Sequence, residues 1–182
     1  MTLERALFPD LLGEDWSPLP DAIKRMHGDA QRLVARGLAD VDGSMHLPAR
    51  LLRHWFGLPE PGSQQALEVT IERNGTRETW TRRFPSMSMR SVLDRAIHAP
   101  LLDERLGYLT LYFELTTKQD AVDWRLHSAR LFGLPLPRAF FGQVIARCRS
   151  DDQRYLFQIE SPPPLLGSLV SYRGWLEIVD EC

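Results

Sequence analysis

The residues with the clearest chemical potential lie in the segment 77–84, RETWTRRF, which follows a predicted turn at Asn74-Gly75. Alternate side chains of an extended strand share a face. One face of this segment carries Glu78, Trp80, Arg82 and Phe84. Burial beside aromatic rings suits a carboxyl group to act as a base, and the planar guanidinium of arginine suits it to bind an anion. This face therefore combines groups that could bind or transform a small molecule.

The register of the hairpin indicates which face is buried. A two-residue Asn-Gly loop pairs Arg73 with Thr76. In that register the apolar residues of the preceding strand share a face with the acid, the arginine and the rings. The other face is polar throughout and includes the opposite-charge pair Glu72 and Arg77, which belongs in water. We therefore predict that the mixed face points into the protein.

Two charges on an inner face need partners, because burying a lone charge costs several kcal/mol. Glu78 and Arg82 lie about 13 Å apart along the strand, which is too far to pair. Arg130 is a candidate partner for Glu78, and Glu104 is a candidate partner for Arg82. Two interpretations stay open: a structural cluster of ion pairs at one end of the fold, or a cavity with aromatic walls and a few polar anchors.

Two further residues could contribute to such a site. His27 follows the apolar stripe of a predicted helix, where capping of the helix end competes with a place at the mouth of a cavity. Tyr172 shares a face with apolar residues of the last strand and could place a hydroxyl group inside. The histidines and cysteines lack metal-ligand spacing, and no nucleophile-elbow, P-loop or dinucleotide-binding motif is present. The sequence predicts neither a metal nor a cofactor.

These residues require a mainly β framework of the α+β type. Two short amino-terminal helices are predicted at about 18–28 and 48–56, with a strand between them. Apolar alternation from residue 65 onward then predicts hairpins, giving about nine strands in all. We expect a strongly bent antiparallel sheet or a calycin-like barrel, because closure removes exposed edges. A helix-grip fold is the alternative, but the sequence ends in a strand pattern where that fold has a long helix.

Two later hairpins extend the predicted inner face. After a turn at 116–121, the apolar face of the next strand is prolonged by Ser128 and Arg130. Across the turn 150–153, Cys148 is expected to face Tyr155. The segment 161–167, SPPPLLG, is predicted to be a stiff connector.

Composition narrows the class of protein. The chain has 182 residues, of which 43% are hydrophobic and 25% charged, and this predicts one soluble domain over residues 1–182. A formal net charge of −2 argues against a nucleic-acid binder. No run is long enough to span a bilayer, and the first residues lack a signal-peptide pattern, so a cytoplasmic location is predicted. Cys148 is interpreted as a small buried hydrophobe.

Several stretches match a known bacterial family in order along the chain. They are LFPDLLGEDWSPLP with MHGD, ETWTRRF, DERLG, RLFGLPLP and GSLVSYRGWL. With these motifs the sequence resembles the domain of unknown function numbered 4166. The resemblance implies a domain that occurs alone or attached to a nicotinamide-type oxidoreductase-like domain, and it implies no activity. The residues that match recurring family positions are His27, Glu78, Trp80, Arg82, Phe84, Glu104, Gly107, Arg130, Pro135, Pro137, Tyr172 and Gly174.

Three functions are consistent with these residues. The favoured hypothesis is a barrel that binds a small hydrophobic or anionic ligand, such as an acyl chain, with Arg82 or Arg130 as the anchor. Its aromatic walls would be Trp80, Phe84 and Phe113. The second is an accessory domain for an oxidoreductase-like partner. The third is an enzyme of the isomerase, cyclase or hydrolase type that uses Glu78 or Glu104 as a base.

Overall fold

A computed structural model describes residues 6–138, 143–161 and 169–182 of the chain. Its helices are α1 (Leu7–Leu12), α2 (Asp21–His27) and α3 (Leu47–Phe56), with a short 3₁₀ helix at Gly13–Trp16. The two predicted helices are confirmed as α2 and α3, whereas α1 is an additional helix that was not predicted. Among the described residues, no helix has the length and apolar character needed to cross a membrane.

The strands form one closed antiparallel barrel, and this confirms the barrel alternative for the fold. In chain order they are β1 (Arg32–Asp42), β2 (Gly62–Asn74), β3 (Arg77–Phe84), β4 (Met87–Arg95), β5 (Leu102–Leu106), β6 (Leu109–Lys118), β7 (Ala121–Leu131), β8 (Leu134–Pro135), β9 (Ile145–Asp151), β10 (Arg154–Ser161) and β11 (Val170–Glu181). Successive strands are neighbours, and β1 pairs with β11 to close the circle. Ten of the described strands make up the barrel, and the two-residue β8 adds to the end of β7. The proline-rich connector lies mostly outside the described residues.

The two ends of the barrel are covered by different helices. At the end where β1 begins, α1 and α2 pack against strands β4, β6, β9 and β10. Their apolar residues Leu7, Phe8, Ile23 and Met26 are fully buried. At the other end, α3 follows β1 and places Leu52 and Phe56 toward the interior. The helix begins at a proline-containing first turn and ends at Gly57, which has the left-handed conformation favoured by glycine.

Turn chemistry shifts the predicted hairpin registers by two residues. In the β2–β3 hairpin Asn74 pairs with Arg77, so the loop is Gly75-Thr76, and Gly75 has a φ of +62°. Glycine at the first central position is typical of a type II′ turn. The β9–β10 hairpin shifts in the same way, and Cys148 pairs with Phe157 rather than Tyr155. Because side chains alternate with a period of two, both shifts keep every residue on its predicted face.

A β-bulge reverses the facing of the second half of β7. Tyr112 pairs with Ser128 but Phe113 pairs with Leu126, so one extra residue, His127, is inserted in β7. Beyond the bulge Ala129 points inward, and Arg130 is exposed on the outer wall. The guanidinium carbon of Arg130 lies 5.9 Å from the centre of the Tyr112 ring. The prediction that Arg130 prolongs the inner face is therefore wrong.

Strands β1 and β11 approach each other unusually closely at two glycines. A Cβ atom on Gly174 would lie 2.0 Å from the carbonyl oxygen of Leu38, and one on Gly37 would lie 1.8 Å from that of Trp175. No side chain can be accommodated at such distances without a backbone shift. These glycines thus permit the sharp local bending that closure of a barrel requires.

Candidate functional site

A cavity of about 360 Å³ lies inside the barrel between the two helical ends. Its volume falls within the range of small-molecule sites. Most of its 28 lining residues are apolar. The lining side chains with a charge or a hydroxyl group are Arg82, Glu104, Tyr155 and Tyr172, which we call the polar cluster. Trp80 and Phe113 also line the cavity, as expected for its aromatic wall.

Arg82 is held in place by three contacts inside the barrel. Its Nη1 donates to Ser91 Oγ at 2.8 Å, and its Nη2 donates to Glu104 Oε1 at 3.3 Å. The guanidinium also lies 5.0 Å from the centre of the Trp80 ring. The predicted pairing of Arg82 with Glu104 is confirmed.

The ion pair leaves the polar cluster with no net charge. Burial lowers the pKa of Arg82, but charge attraction and hydrogen bonding, chiefly with the Glu104 carboxylate, act in the opposite direction, and the pKa is raised overall. Arg82 therefore stays protonated and its charge is balanced by Glu104. This balance bears directly on which polar group of a ligand can bind there.

Tyr172 offers a hydroxyl group to the cavity. Burial raises its pKa, despite the opposing effect of Arg82, so the hydroxyl stays protonated. The hydroxyl has no hydrogen-bond partner within 6–138, 143–161 and 169–182. Phe84 packs edge-on against the Tyr172 ring, with 6.2 Å between ring centres, and does not line the cavity. Phe84 was predicted to form part of the cavity wall. It packs against the Tyr172 ring instead and so helps to hold that ring in place.

A layer of buried polar side chains lies below the cavity at the end closed by α1 and α2. We call His27, Arg73 and Glu78 the floor. Glu78 is fully buried, accepts a hydrogen bond from Trp80 Nε1 at 2.7 Å and pairs with Arg73 Nε at 3.0 Å. Burial raises the pKa of Glu78, and Arg73 and Trp80 oppose that rise. Glu78 points inward as predicted. Its carboxylate oxygens are bonded to Trp80 and Arg73, however, and it does not line the cavity.

The partner of Glu78 is Arg73, and not Arg130 as predicted. The two-residue register shift places Arg73 directly opposite Glu78. Arg73 also donates to the carbonyl oxygens of Met26 and Ala30, so it ties the end of α2 to the barrel. The sequence contained a signal for this burial. Arg73 lies two and four residues after the apolar residues Ile71 and Val69, so it shares their face of the strand, and the hairpin register makes that face the inner one.

His27 is a neutral member of the floor. It is fully buried at the end of α2, with its ring 4.0 Å from that of Phe8 and 5.5 Å from that of Trp80, measured between centres. Burial, with a contribution from Arg73, lowers its pKa well below the usual value. An uncharged ring gains nothing from the helix dipole, so His27 is not the charged cap that was one prediction. It is also not at the mouth of the cavity, the other prediction, because it is fully buried and does not line the cavity.

A short hydrogen-bonded chain connects His27 to the cavity. His27 Nε2 lies 2.8 Å from the Tyr155 hydroxyl, which lies 2.7 Å from Cys148 Sγ. Tyr155 and Cys148 both line the cavity. Burial raises the pKa of Cys148 to about 12, so the thiol stays protonated and is unsuited to act as a nucleophile. Cys148 is the buried hydrophobe that the sequence predicted, whereas the lining role of Tyr155 was not predicted.

Arg53 fixes α3 over the other end of the barrel. It is fully buried, and its Nη1 donates to the carbonyl oxygens of Ser44 at 2.7 Å and Leu169 at 3.1 Å. Its Nη2 lies 3.6 Å from Glu60. Arg53 was not predicted to be buried, although its spacing from Ala49 and Phe56 places it on the inward face of the helix.

Within the described ranges, no group of three or more histidine, cysteine, aspartate or glutamate residues is arranged to hold a metal ion. The polar cluster and the floor are groups of buried polar side chains inside the barrel.

The fold and the cavity define a class of protein: a closed, up-and-down antiparallel β-barrel with a mostly apolar internal cavity. The chain belongs to the family described as a domain of unknown function, number 4166, whose family model matches residues 19–176. This match confirms the resemblance found in the sequence motifs. No curated protein gives a significant match to the chain.

Proposed function

We propose that the barrel binds an apolar small molecule that carries one uncharged polar group, such as a hydroxyl, carbonyl or ester. The observation that carries this proposal is an apolar cavity of about 360 Å³ with a single polar cluster of balanced charge. Cavities of this kind bind through apolar contact and use a few polar groups to fix orientation. The wall would hold the apolar part of the ligand, and the polar cluster would hold its head group.

The polar cluster favours a neutral head group over a carboxylate. Arg82 already pairs with Glu104, so a ligand carboxylate would have to share the guanidinium with a second anion, which is unfavourable in a buried site. A guanidinium has five N–H donors, and Ser91 and Glu104 use two of them. The other donors and the Tyr172 hydroxyl suit an oxygen acceptor. Of the two ligand types that the sequence predicted, hydrophobic or anionic, the proposal therefore keeps the hydrophobic one.

The geometry gives less support to catalysis by a buried base. Glu78 lies in the floor, bonded to Arg73 and Trp80, and does not line the cavity. Glu104 lines the cavity, but its carboxylate pairs with Arg82. Ligand binding therefore requires no rearrangement of these side chains. To act as a base, either glutamate would first have to break its ion pair with an arginine.

A matched ligand series tests the proposal. A fluorescent apolar probe is bound to the full chain and displaced by a straight-chain alcohol, by the carboxylate of equal chain length and by the methyl ester of that carboxylic acid. We expect the alcohol and the ester to displace the probe at lower concentrations than the carboxylate does. Ala129→Phe, which puts a ring into the cavity from a buried position, should abolish binding. Tyr172→Phe should weaken binding of the alcohol about fivefold, the effect of one hydrogen bond.

Tyr112→Phe is the control for Tyr172→Phe, because it removes a tyrosine hydroxyl from the outer side of the barrel. Native mass spectrometry of the protein purified from cells complements the displacement assay by detecting a carried molecule. Unchanged binding in Ala129→Phe would show that the probe does not occupy the cavity. Tighter binding of the carboxylate than of the alcohol would refute the role given to the balanced charge.

A further inference from the structure

The mouth of the cavity is bordered by exposed apolar side chains. On α3, Leu47, Leu51 and Trp55 are spaced by four residues and form one stripe on the outer side of the helix, where Trp55 is 68% exposed. The facing turns of the barrel also expose apolar residues, namely Tyr108, Phe132 and Leu134. The rings of Tyr108 and Phe132 stack with 4.7 Å between their centres. Large apolar side chains exposed together in this way usually mark an interaction surface.

Some of these side chains line a second hollow of about 260 Å³, which lies between the end of α3 and the turns after β5 and β7. Its lining includes Trp55, Tyr108 and Phe132. Four residues line both this hollow and the cavity: Phe56, Met89, Leu106 and Leu131. The exposed apolar residues thus sit at the entrance.

The side of this end formed by α3 and the turns beside β4–β8 is basic. The chain has 24 acidic residues, yet the segments 43–59, 85–91, 105–113 and 124–138, which form this side, contain none, whereas Asp42, Glu60 and Glu160 lie elsewhere at the same end. These segments expose Arg50, Arg90, Arg130 and Arg138, which take part in none of the ion pairs among the described residues. Together, these four arginines and the exposed apolar residues Leu47, Leu51, Trp55, Tyr108, Phe132 and Leu134 form what we call the rim.

We propose that the rim binds to the surface of an anionic phospholipid bilayer, with the mouth of the cavity facing the lipid. Aromatic and aliphatic side chains enter the interfacial region of a bilayer, and arginines are attracted to anionic head groups. Two copies of this chain would bring eight arginines together, so charge disfavours the rim as a self-association surface. Docking does not require the cavity to be filled and therefore goes beyond the proposed ligand binding.

Co-sedimentation with vesicles tests this proposal on the full chain. The probes are phosphatidylcholine vesicles with and without phosphatidylglycerol. We expect at least about tenfold stronger partitioning to the anionic vesicles, and a decrease as salt is raised, because salt screens surface charge. Arg50→Gln combined with Arg130→Gln should reduce the preference for anionic lipid. Leu51→Ser combined with Trp55→Ser should lower partitioning about tenfold or more, because the apolar contact is lost.

Ile97→Ser is the matched control. Ile97 is 87% exposed and follows β4 at the opposite end of the barrel, so its loss should leave partitioning unchanged. The proposal would be overturned if the protein bound to neither type of vesicle. It would also be overturned if the Ile97 variant lost as much partitioning as the Leu51/Trp55 variant. A dimer that depends on Leu51 and Trp55, without vesicle binding, would also overturn it. Ala129→Phe should keep vesicle binding while losing the cavity ligand, which separates the two proposals.

Discussion

Replacement of Arg73 by methionine tests whether the floor depends on one buried ion pair. The substitution keeps an apolar stem of similar length but removes the cation that pairs with Glu78 at 3.0 Å. Both side chains are almost completely buried, at 4% and 0% exposure. Removing one partner of such a pair leaves an uncompensated buried charge and costs about 3–5 kcal/mol. Domains are stable by only about 5–15 kcal/mol, so the loss is easily measured.

The pH dependence identifies the cause of this loss. In Arg73→Met, the pKa of Glu78 should rise further above its unfolded value, because burial is no longer opposed by the cation. A folded pKa above the unfolded pKa lowers stability as the pH rises through it. The difference from the wild type should therefore be largest at neutral pH and shrink as the pH falls toward the unfolded value of 4.5.

Urea unfolding followed by tryptophan fluorescence measures both effects. Adding Glu78→Gln to Arg73→Met should recover part of the lost free energy of unfolding, since the amide carries no charge. Arg83→Met is the control, because Arg83 pairs with Glu68 at 2.8 Å on the surface with its side chain 61% exposed. That control should cost no more than about 1 kcal/mol. Equal losses in the two arginine variants, or a loss independent of pH, would refute the reasoning.

Two further predictions concern His27 and Gly174. The pKa of His27 is lowered, so below pH 6.5 the unfolded chain binds more protons than the native protein, and stability falls by up to about 1.4 kcal/mol per pH unit of acidification. His27→Phe should reduce this slope in urea titrations and the exposed control His98→Phe should not; identical slopes in both variants and the wild type would contradict the assignment. Gly174→Ala should lower the free energy of unfolding by about 1–3 kcal/mol, because the new Cβ meets the Leu38 carbonyl oxygen at 2.0 Å. A thermal midpoint equal to that of the wild type would show that β1 and β11 need no glycine there.

Alternation along the strands predicted which side chains point inward, because a shift of two residues does not change the face. Glu78 and Arg82 are therefore buried as predicted, even though the register was wrong. The partner of Glu78 was missed because partner identity depends on exact register, which is decided by the turn. The Asn-Gly pair suggested glycine at the second central position, whereas the chain places Gly75 at the first.

Other features could not be predicted from local pattern. The bulge at His127 turns Arg130 outward, and an inserted residue leaves no trace in simple alternation. Helix α1 has only six residues, and its formation depends on burial of Leu7, Phe8 and Leu12 against the barrel. The cavity itself arises from packing between distant strands. Alternation put Tyr155 and Cys148 on one face of their hairpin, but their place in the cavity lining follows from closure of the barrel.

The two cysteines differ in exposure, so the protein can be labelled selectively at one of them. Cys148 is buried with its pKa raised to about 12, whereas Cys182 is exposed. The backbone of Cys182 pairs with that of Arg32 at the start of β1, which places it at the end closed by α1 and α2. A thiol-reactive dye or surface linker should therefore attach at Cys182 alone. An immobilised molecule would then present its open end, with α3 and the arginines, to the solution.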